Sequence, residues 1–375
     1  MNIDNIVNME GLRGEVLQGV FRTVLQRLLN DAAWPTGWRV DSACSDWDFA
    51  VSRSGADSAV RFCVRCKTAT FRPSQLHILG EPLCPGGKDI ASARVLAVPR
   101  VSPRMAALLR QHAWSWFDLA GNCRLEIPGI LLIERSGREF AKPAPRTGAN
   151  LSTPEASRVV RALLAPQNAG KRWTQREIVH HFTDLVPPVP PPSLALVNKV
   201  VQHLRDQAFI ESLPNRGFRV SDFDGLLQTW RQEYRFDRHV RRPYFTLLQG
   251  KALQEKLRSL DPDASGRLAY AAFSAADIQA PTVRQPRTWL YVSPGFEQEF
   301  ASALDAKVVD SGENVVALLA DDGGVFYRLD ASANRAPCTN TVQTYVDLAK
   351  AGGRGEEAAE AILNQRLKPA WAAVR

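Results

Sequence analysis

Near the amino terminus, residues able to bind a metal and activate water stand in a telling order. Glu15 lies in "GEVLQ", Asp48 in "SDWDFAV" and Lys67 at the end of "VRCK". Many nucleases hold Mg²⁺ with a helix glutamate, a strand aspartate and a Glu-x-Lys on the next strand. The glutamate position of that last motif carries Arg65. A guanidinium adds positive charge where the cation needs a carboxylate. Asp46, Asp48 and Lys67 alone make a poor hard-cation site, and the pattern reads as degenerate, with no catalytic residue. The same stretch, "RFCVRCKT", spaces Cys63 and Cys66 as C-x-x-C, half of a zinc knuckle or a redox pair. Residues 60–67 alternate like a strand, which points the two thiols to opposite faces, and no turn residue separates them. They read as small buried hydrophobes, and no metal or cofactor is expected.

A second set of side chains suits nucleic acid. "KRWTQREIVHHF" carries a T-x-x-E capping box, Thr174 to Glu177, at a helix start. "SLALVNKVVQHLRDQAFI" has Ser193 as N-cap and a stripe of Leu196, Val197, Val200, Val201 and Leu204, which leaves Ser193, Asn198, Lys199 and Gln202 outside. Asn and Gln pair bidentately with adenine, and Lys reaches guanine or phosphate. "IESLPNRGFRV" reads as two short strands whose turn places Asn215, Arg216 and Arg219 to grip phosphate. Arg172, Thr174, Gln175 and Arg176 stand where helix-end amides meet a backbone. His180, His181 and His203 have no spacing that matches a compact metal site.

Positioning these groups takes several elements. An amphipathic helix, "GLRGEVLQGVFRTVLQRLLND", precedes strand-like "WRVDSA", "WDFAVSR", "AVRFCVRCKT" and "ARVLAVPR". "SPRMAALLRQHA" begins with Ser102 as N-cap and Pro103 at the first helical position. "SWFDLAGNCRLEIPGILLIERSG" closes this α/β section, in which Asp118 and Asn122 are either a structural turn or part of a binding face. "EFAKPAPRTGANLSTP" reads as a linker. From about 150 to 222, three helices ("PEASRVVRALLA" first) and a hairpin are the parts of a winged helix-turn-helix. The intervening "LVPPVPPPS" is a stiff extended spacer or a docking segment. From 223 onward, a connecting helix leads to strand signals in "RTWLYVS", "ENVVALLA" and "GVFYRLD", then closing helices. The expected fold is therefore α+β and multidomain: 1–142, 150–222 and 223–375.

Composition agrees with this. The 375 residues are 45% hydrophobic and 23% charged, as in a soluble globular protein. No apolar run reaches the about 18–20 residues that span a bilayer, and the start, "MNIDNIVNMEGLRG", has no secretory pattern. A cytoplasmic protein with reduced cysteines is expected, Cys44, Cys84, Cys123 and Cys338 included. A net charge of +8 favours an anionic partner, nucleic acid foremost.

Four runs, in order, resemble long-form AbiEi-type antitoxins of bacterial type IV toxin–antitoxin systems. They are "VLAVPRVSPRMAALLRQHAWSWFDLAGNCRLEI"; the winged-helix region with "DGLLQTWRQEYRFDRH"; "YAAFSAADIQAPTVRQPRTWLYV"; and "TYVDLAKAGGRGEEAAEAI", with Asp347, Gly353, Arg354, Glu357 and Ala358 in family-like places. The resemblance implies a cytosolic autorepressor whose winged helix binds inverted repeats of double-stranded promoter DNA, as a homodimer, and not an enzyme. It implies a carboxy-terminal antitoxin section bearing Asp347, Arg354 and Glu357. It also implies a nucleotidyltransferase-like toxin countered indirectly, and an inactive restriction-endonuclease-like amino-terminal domain at 1–142. The alternatives are a divergent metal-dependent nuclease using Glu15, Asp48 and Lys67, and a stand-alone regulator acting through protein partners on a mobile element.

Overall fold

A computed structural model describes residues 14–32, 37–41, 47–54, 59–68, 70–80, 90–138, 148–185, 187–332 and 334–374. The linker stretch 139–147, Asp46, Cys44 and Cys84 lie outside the described residues. The architecture mixes helices and sheets in two compact units, 1–147 and 148–375. No described helix is long and apolar enough to cross a membrane.

In the first unit, α1 (Gly14–Asp31) is followed by β1 (Arg39–Asp41), β2 (Phe49–Ser54), β3 (Ala59–Cys66), β4 (Ile90–Ala97), α2 (Pro103–Gln111), β5 (Ser115–Phe117), β6 (Cys123–Ile127) and β7 (Leu131–Arg135). The strands form one sheet in sequence order, parallel between β3 and β4 and between β4 and β5, antiparallel elsewhere. Strand alternation separates its two faces. Phe49, Val51, Phe62, Val64 and Phe117 pack under Leu17, Phe21, Val24, Leu25 and Leu28 of α1. Cys63, Leu96 and Trp116 pack on the other side with Met105 and Leu109 of α2. Ser102 caps α2 by accepting from the Met105 amide at 3.1 Å.

The second unit begins with α3 (Pro154–Leu164), α4 (Gln175–Thr183) and α5 (Leu194–Asp206), then a hairpin of β8 (Ile210–Ser212) and β9 (Phe218–Val220). Next come α6 (Phe223–Glu233), β10 (Val240–Phe245), α7 (Gly250–Leu260), β11 (Leu268–Tyr270), α8 (Ala272–Gln279), β12 (Thr288–Val292), α9 (Glu297–Ala303), β13 (Lys307–Val308) and β14 (Val315–Leu319). The chain finishes with β15 (Asp330–Ser332), β16 (Arg335–Cys338), α10 (Thr341–Ala351), α11 (Gly355–Ile362), a π-helical turn (Leu363–Leu367) and α12 (Lys368–Ala372). The seven-stranded sheet of this unit has the order β13-β10-β14-β12-β11-β16-β15. One face, with Leu290, Val292, Val315 and Ala317, packs on Leu253, Leu257 and Phe300 of α7 and α9. The other, with Trp289, Tyr291, Val316 and Leu318, joins one continuous core that runs through α3, α5, α6, α10 and Trp371. The three-helix module and the sheet therefore share their apolar interior.

Two local readings change. "GVFYRLD", expected as a strand, forms a 3-10 turn at Gly323–Phe326 before β15, because the Asp322 carboxylate accepts from the Gly324 amide at 2.8 Å and bends the chain there. The proline segment is packed rather than a bare spacer. Pro187, Val189 and Pro192 are buried. Arg158 of α3 donates from Nη1 to the Pro190 carbonyl at 2.9 Å, an acceptor left open because polyproline makes no internal hydrogen bonds.

Candidate nucleic-acid interface

The α4–α5 pair rests on sequence-encoded ends. Thr174 Oγ1 accepts from the Glu177 amide at 3.2 Å, and Glu177 Oε2 accepts from the Thr174 amide at 2.6 Å, a complete capping box. Ser193 Oγ accepts from the Leu196 amide at 3.2 Å. Ile178 and Phe182 meet Val197, Val200, Val201 and Leu204 in the core, which turns Asn198, Lys199 and Gln202 outward. Gln175 Nε2 donates to Asn198 Oδ1 at 3.0 Å and so joins the first turn of α4 to the outer face of α5.

The hairpin is brought alongside by backbone pairing. Trp173 and Phe218 exchange two N–H···O bonds, both 2.8 Å, placing the turn next to the start of α4. Arg172 donates to the Asn215 carbonyl. Arg216 and Gly217 both have positive φ, +60° and +90°. At Gly217 a Cβ would sit 2.7 Å from the Trp173 carbonyl oxygen, so only glycine fits.

These side chains differ in how committed they are. Ser193 is spent on its cap. Gln202 donates to Asp206 Oδ1 at 2.9 Å and accepts from Arg205 at 3.2 Å. Arg219 pairs with Glu211. Arg176, Lys199 and Arg216 are exposed and have no ion pair among the described residues. Lys171, which the motif reading passed over, holds its ammonium 3.8 Å from the Trp173 ring centroid and adds a cation to the same surface. Its only signal in the sequence is its place in "KRW".

Among the described residues of the first unit, Glu15, Asp48, Arg65 and Lys67, the positions compared with a nuclease motif, make no common cation site. Glu15 is exposed in the first turn of α1. Both Asp48 oxygens are occupied: Gln18 donates to Oδ1 at 2.9 Å and the Cys66 amide to Oδ2 at 2.7 Å. Arg65 lies over the Trp47 ring and donates to the Leu79 carbonyl at 3.2 Å, and Lys67 sits 5.9 Å from the Phe71 ring centroid. Among the described residues no group of three His, Cys, Asp or Glu side chains could hold a metal. Cys63 and Cys66 belong to the cores on opposite faces of the sheet, and burial raises the Cys66 thiol far above its ordinary value. Asp118 is a turn element: it accepts from the Asn122 amide at 2.9 Å, while Asn122 donates to the Arg138 carbonyl at 3.1 Å.

The last motif divides in two. Arg354 and Glu357 form an exposed pair at the start of α11, with Nη2 to Oε1 at 2.6 Å. Asp347 is fully buried. Its Oδ1 accepts from Tyr234 at 3.1 Å, Tyr291 at 2.9 Å and Gln343 at 2.7 Å, while Oδ2 has no partner. Burial raises its pKa to about 7, against the lowering effect of those hydrogen bonds and of Arg161. Tyr234 in turn meets His239 Nε2 at 3.0 Å, and burial pushes that imidazole down to about 4. Asp347 is thus a structural centre in this chain, out of reach of a macromolecular partner.

Residues 219–368 match the family model described as "Transcriptional regulator, AbiEi antitoxin, Type IV TA system". The resemblance read from the sequence holds over that stretch. No curated protein and no solved structure matches the chain.

Proposed function

We propose that this protein is a sequence-specific double-stranded-DNA-binding regulator, an autorepressing antitoxin of a type IV toxin–antitoxin system working in the cytoplasm. In this reading α3, α4, α5 and the β8–β9 hairpin are a winged helix-turn-helix, with α5 in the major groove. Asn198 and Lys199 read base edges. Arg172, Arg176, Arg216 and Arg219 hold phosphates, and the α4 amides face the backbone. Two copies bind the two halves of an inverted repeat in the promoter. The section from 223 onward serves antitoxicity and counters a nucleotidyltransferase-like toxin indirectly. The first unit keeps a nuclease-like fold without the chemistry.

The observation that carries this reading is the exposed Asn198–Lys199 edge of α5, tied to Gln175, together with exposed Arg176 in the first turn of α4 and exposed Arg216 in the hairpin turn. A gel shift with the DNA upstream of the coding sequence tests it. A shifted band that resists unrelated competitor DNA, and is lost in Asn198→Ala/Lys199→Ala, is expected. No shift even at low salt, where phosphate contacts are strongest, counts against it.

A further inference from the structure

The outer face of α5 begins apolar. Leu194, the first helical residue after the Ser193 cap, is 46% exposed, and Ala195 beside it is exposed as well. Among the described residues from 148 to 222, Leu194 is the one large aliphatic or aromatic side chain left this open. The core does not use it: Val197, Val200, Val201 and Leu204 fill the interior from the other side of the helix. Nor is it a frayed end. Ser193 Oγ accepts from the Leu196 amide, Val189 and Pro192 just ahead are buried, and Arg158 donates to the Pro190 carbonyl at 2.9 Å.

Helical spacing sets Leu194 one turn before Asn198, and Ala195 one turn before Lys199, on the same face. Asn198 Oδ1 accepts from Gln175 Nε2 at 3.0 Å, which orients the amide and leaves Nδ2 without a partner among the described residues. The acids of the surrounding surface are committed: Glu177 to its capping box, Asp206 to Gln202 and Glu211 to Arg219. The face therefore offers, in order, apolar surface, an N–H donor and an ammonium. In the major groove thymine is set apart by its C5-methyl, which apolar side chains cover, while purine N7 and O6 and thymine O4 accept hydrogen bonds. Residues one helical turn apart are separated by about 5–6 Å, one to two base steps of about 3.4 Å. A second copy of this chain suits the face less well, because a two-fold contact there would bring Lys199 of both copies into one interface.

We infer that α5 recognises a thymine by its methyl group. Leu194 and Ala195 close over the C5-methyl, and Asn198 Nδ2 donates to a base acceptor one to two steps along. The inference rests on the DNA-binding reading above and names a base that this face selects.

Uracil, which lacks only the methyl, tests it. The probe is the DNA upstream of the coding sequence, trimmed to the stretch the full chain protects, with its thymines replaced by uracil one at a time. At least one replacement should weaken binding about fourfold, the weight of one buried methyl-sized group. Leu194→Ala should bind that thymine probe and its uracil counterpart alike. Leu194 is exposed and alanine is a strong helix former, so the variant keeps its fold. The inference is overturned if every replacement costs less than twofold, or if Leu194→Ala keeps the preference for thymine. A Leu194→Ala chain that loses self-association but keeps that preference assigns the leucine to a contact between copies instead. Specific binding without sensitivity to the methyl removes this inference alone, whereas the absence of any specific binding removes the DNA-binding reading with it.

Discussion

Arg161 of α3 donates from Nε to Gln343 Oε1 of α10 at 2.7 Å, in the interior of the second unit. Gln343 passes the contact on, donating from Nε2 to Asp347 Oδ1 at 2.7 Å and to the Tyr234 hydroxyl at 2.7 Å. A charged residue of the three-helix module and the buried carboxyl of the last section are thereby joined through one amide. Gln343→Leu keeps the volume and removes the joint. It leaves Arg161, whose Nη1 already lacks a partner, with its Nε unsatisfied as well. The expected cost is about 3 kcal/mol or more, because a buried charge loses its acceptor. Urea unfolding measures it, and a loss below about 1 kcal/mol would show that the bridge contributes little.

Asp347, His181 and His239 set a pH profile with opposing signs. Burial raises Asp347 to about 7, so its contribution is full below about 4, where the unfolded carboxyl is also protonated, and is lost as pH rises towards 7. Burial first, then neighbouring cations, lower both histidines to about 4, so their contribution is full above about 6.5 and is lost as pH falls through 4. Two imidazoles outweigh one carboxyl, and the three groups together should make stability rise from pH 4.5 to 6. Asp347→Asn removes the opposing member. The stability of this variant relative to the parent should improve steadily between pH 4 and pH 7. A difference that stays flat over that range would mean that Asp347 ionises normally.

Arg158 and Asp322 form a second buried link between α3 and the loop after β14. Arg158 Nε lies 2.9 Å from Asp322 Oδ1. Burial acts to raise the Asp322 carboxyl, but the hydrogen bonds and charge of Arg158 outweigh it and hold the group below its ordinary value. Arg158→Met should cost about 3–5 kcal/mol, since it strands a buried carboxylate. Arg158→Met/Asp322→Leu should recover only part of that loss, because Asp322 also accepts from the Gly324 amide at 2.8 Å. Chemical denaturation of both variants decides; full recovery would show that the turn does not need its aspartate.

What could be read from the chain beforehand is what depends on neighbours in sequence. The caps at Ser102, Thr174 and Ser193 sit where side chain and amide are three residues apart. The opposite-facing thiols of Cys63 and Cys66 follow from strand alternation alone. The Asp347 centre was out of reach, because Tyr234 and Tyr291 meet it from 113 and 56 residues away. Arg158 and Arg161 look like solvent-facing charges on an amphipathic helix. Their partners, Asp322 and Gln343, lie 164 and 182 residues further along and explain how both can be buried. The order of the seven-stranded sheet of the second unit, with β10 and β14 neighbours and β11 paired to β16, likewise rests on long-range pairing that no local pattern encodes.

Gly217 offers a test of the hairpin that does not touch a charge. Its φ of +90° and the 2.7 Å approach of the Trp173 carbonyl to a would-be Cβ make Gly217→Ala strained on both counts. A loss of about 1–2 kcal/mol is expected. The amide of Phe218 should exchange faster, since its bond to Trp173 is the contact displaced. Hydrogen exchange at Phe218 reads this directly, and unchanged protection would place the strain elsewhere.

The surface of α4, α5 and the hairpin makes a graded prediction about DNA. Arg176 and Arg216 are exposed without an ion pair among the described residues, so they have charge to give to phosphates. Arg176→Ala and Arg216→Ala should each weaken binding to specific and unrelated DNA alike and reduce the slope of log K against log salt by about 1. Asn198→Ala should leave the slope unchanged and narrow the gap between specific and unrelated DNA by about 1–3 kcal/mol, as expected for a base-edge contact. Gln202→Ala should do less than Asn198→Ala, because the Gln202 amide is already shared between Asp206 and Arg205. Fluorescence anisotropy across a salt series separates these outcomes. If Gln202→Ala proves the more damaging, α5 enters the groove by its later turns, and the base-reading role moves from Asn198 towards Gln202 and Arg205.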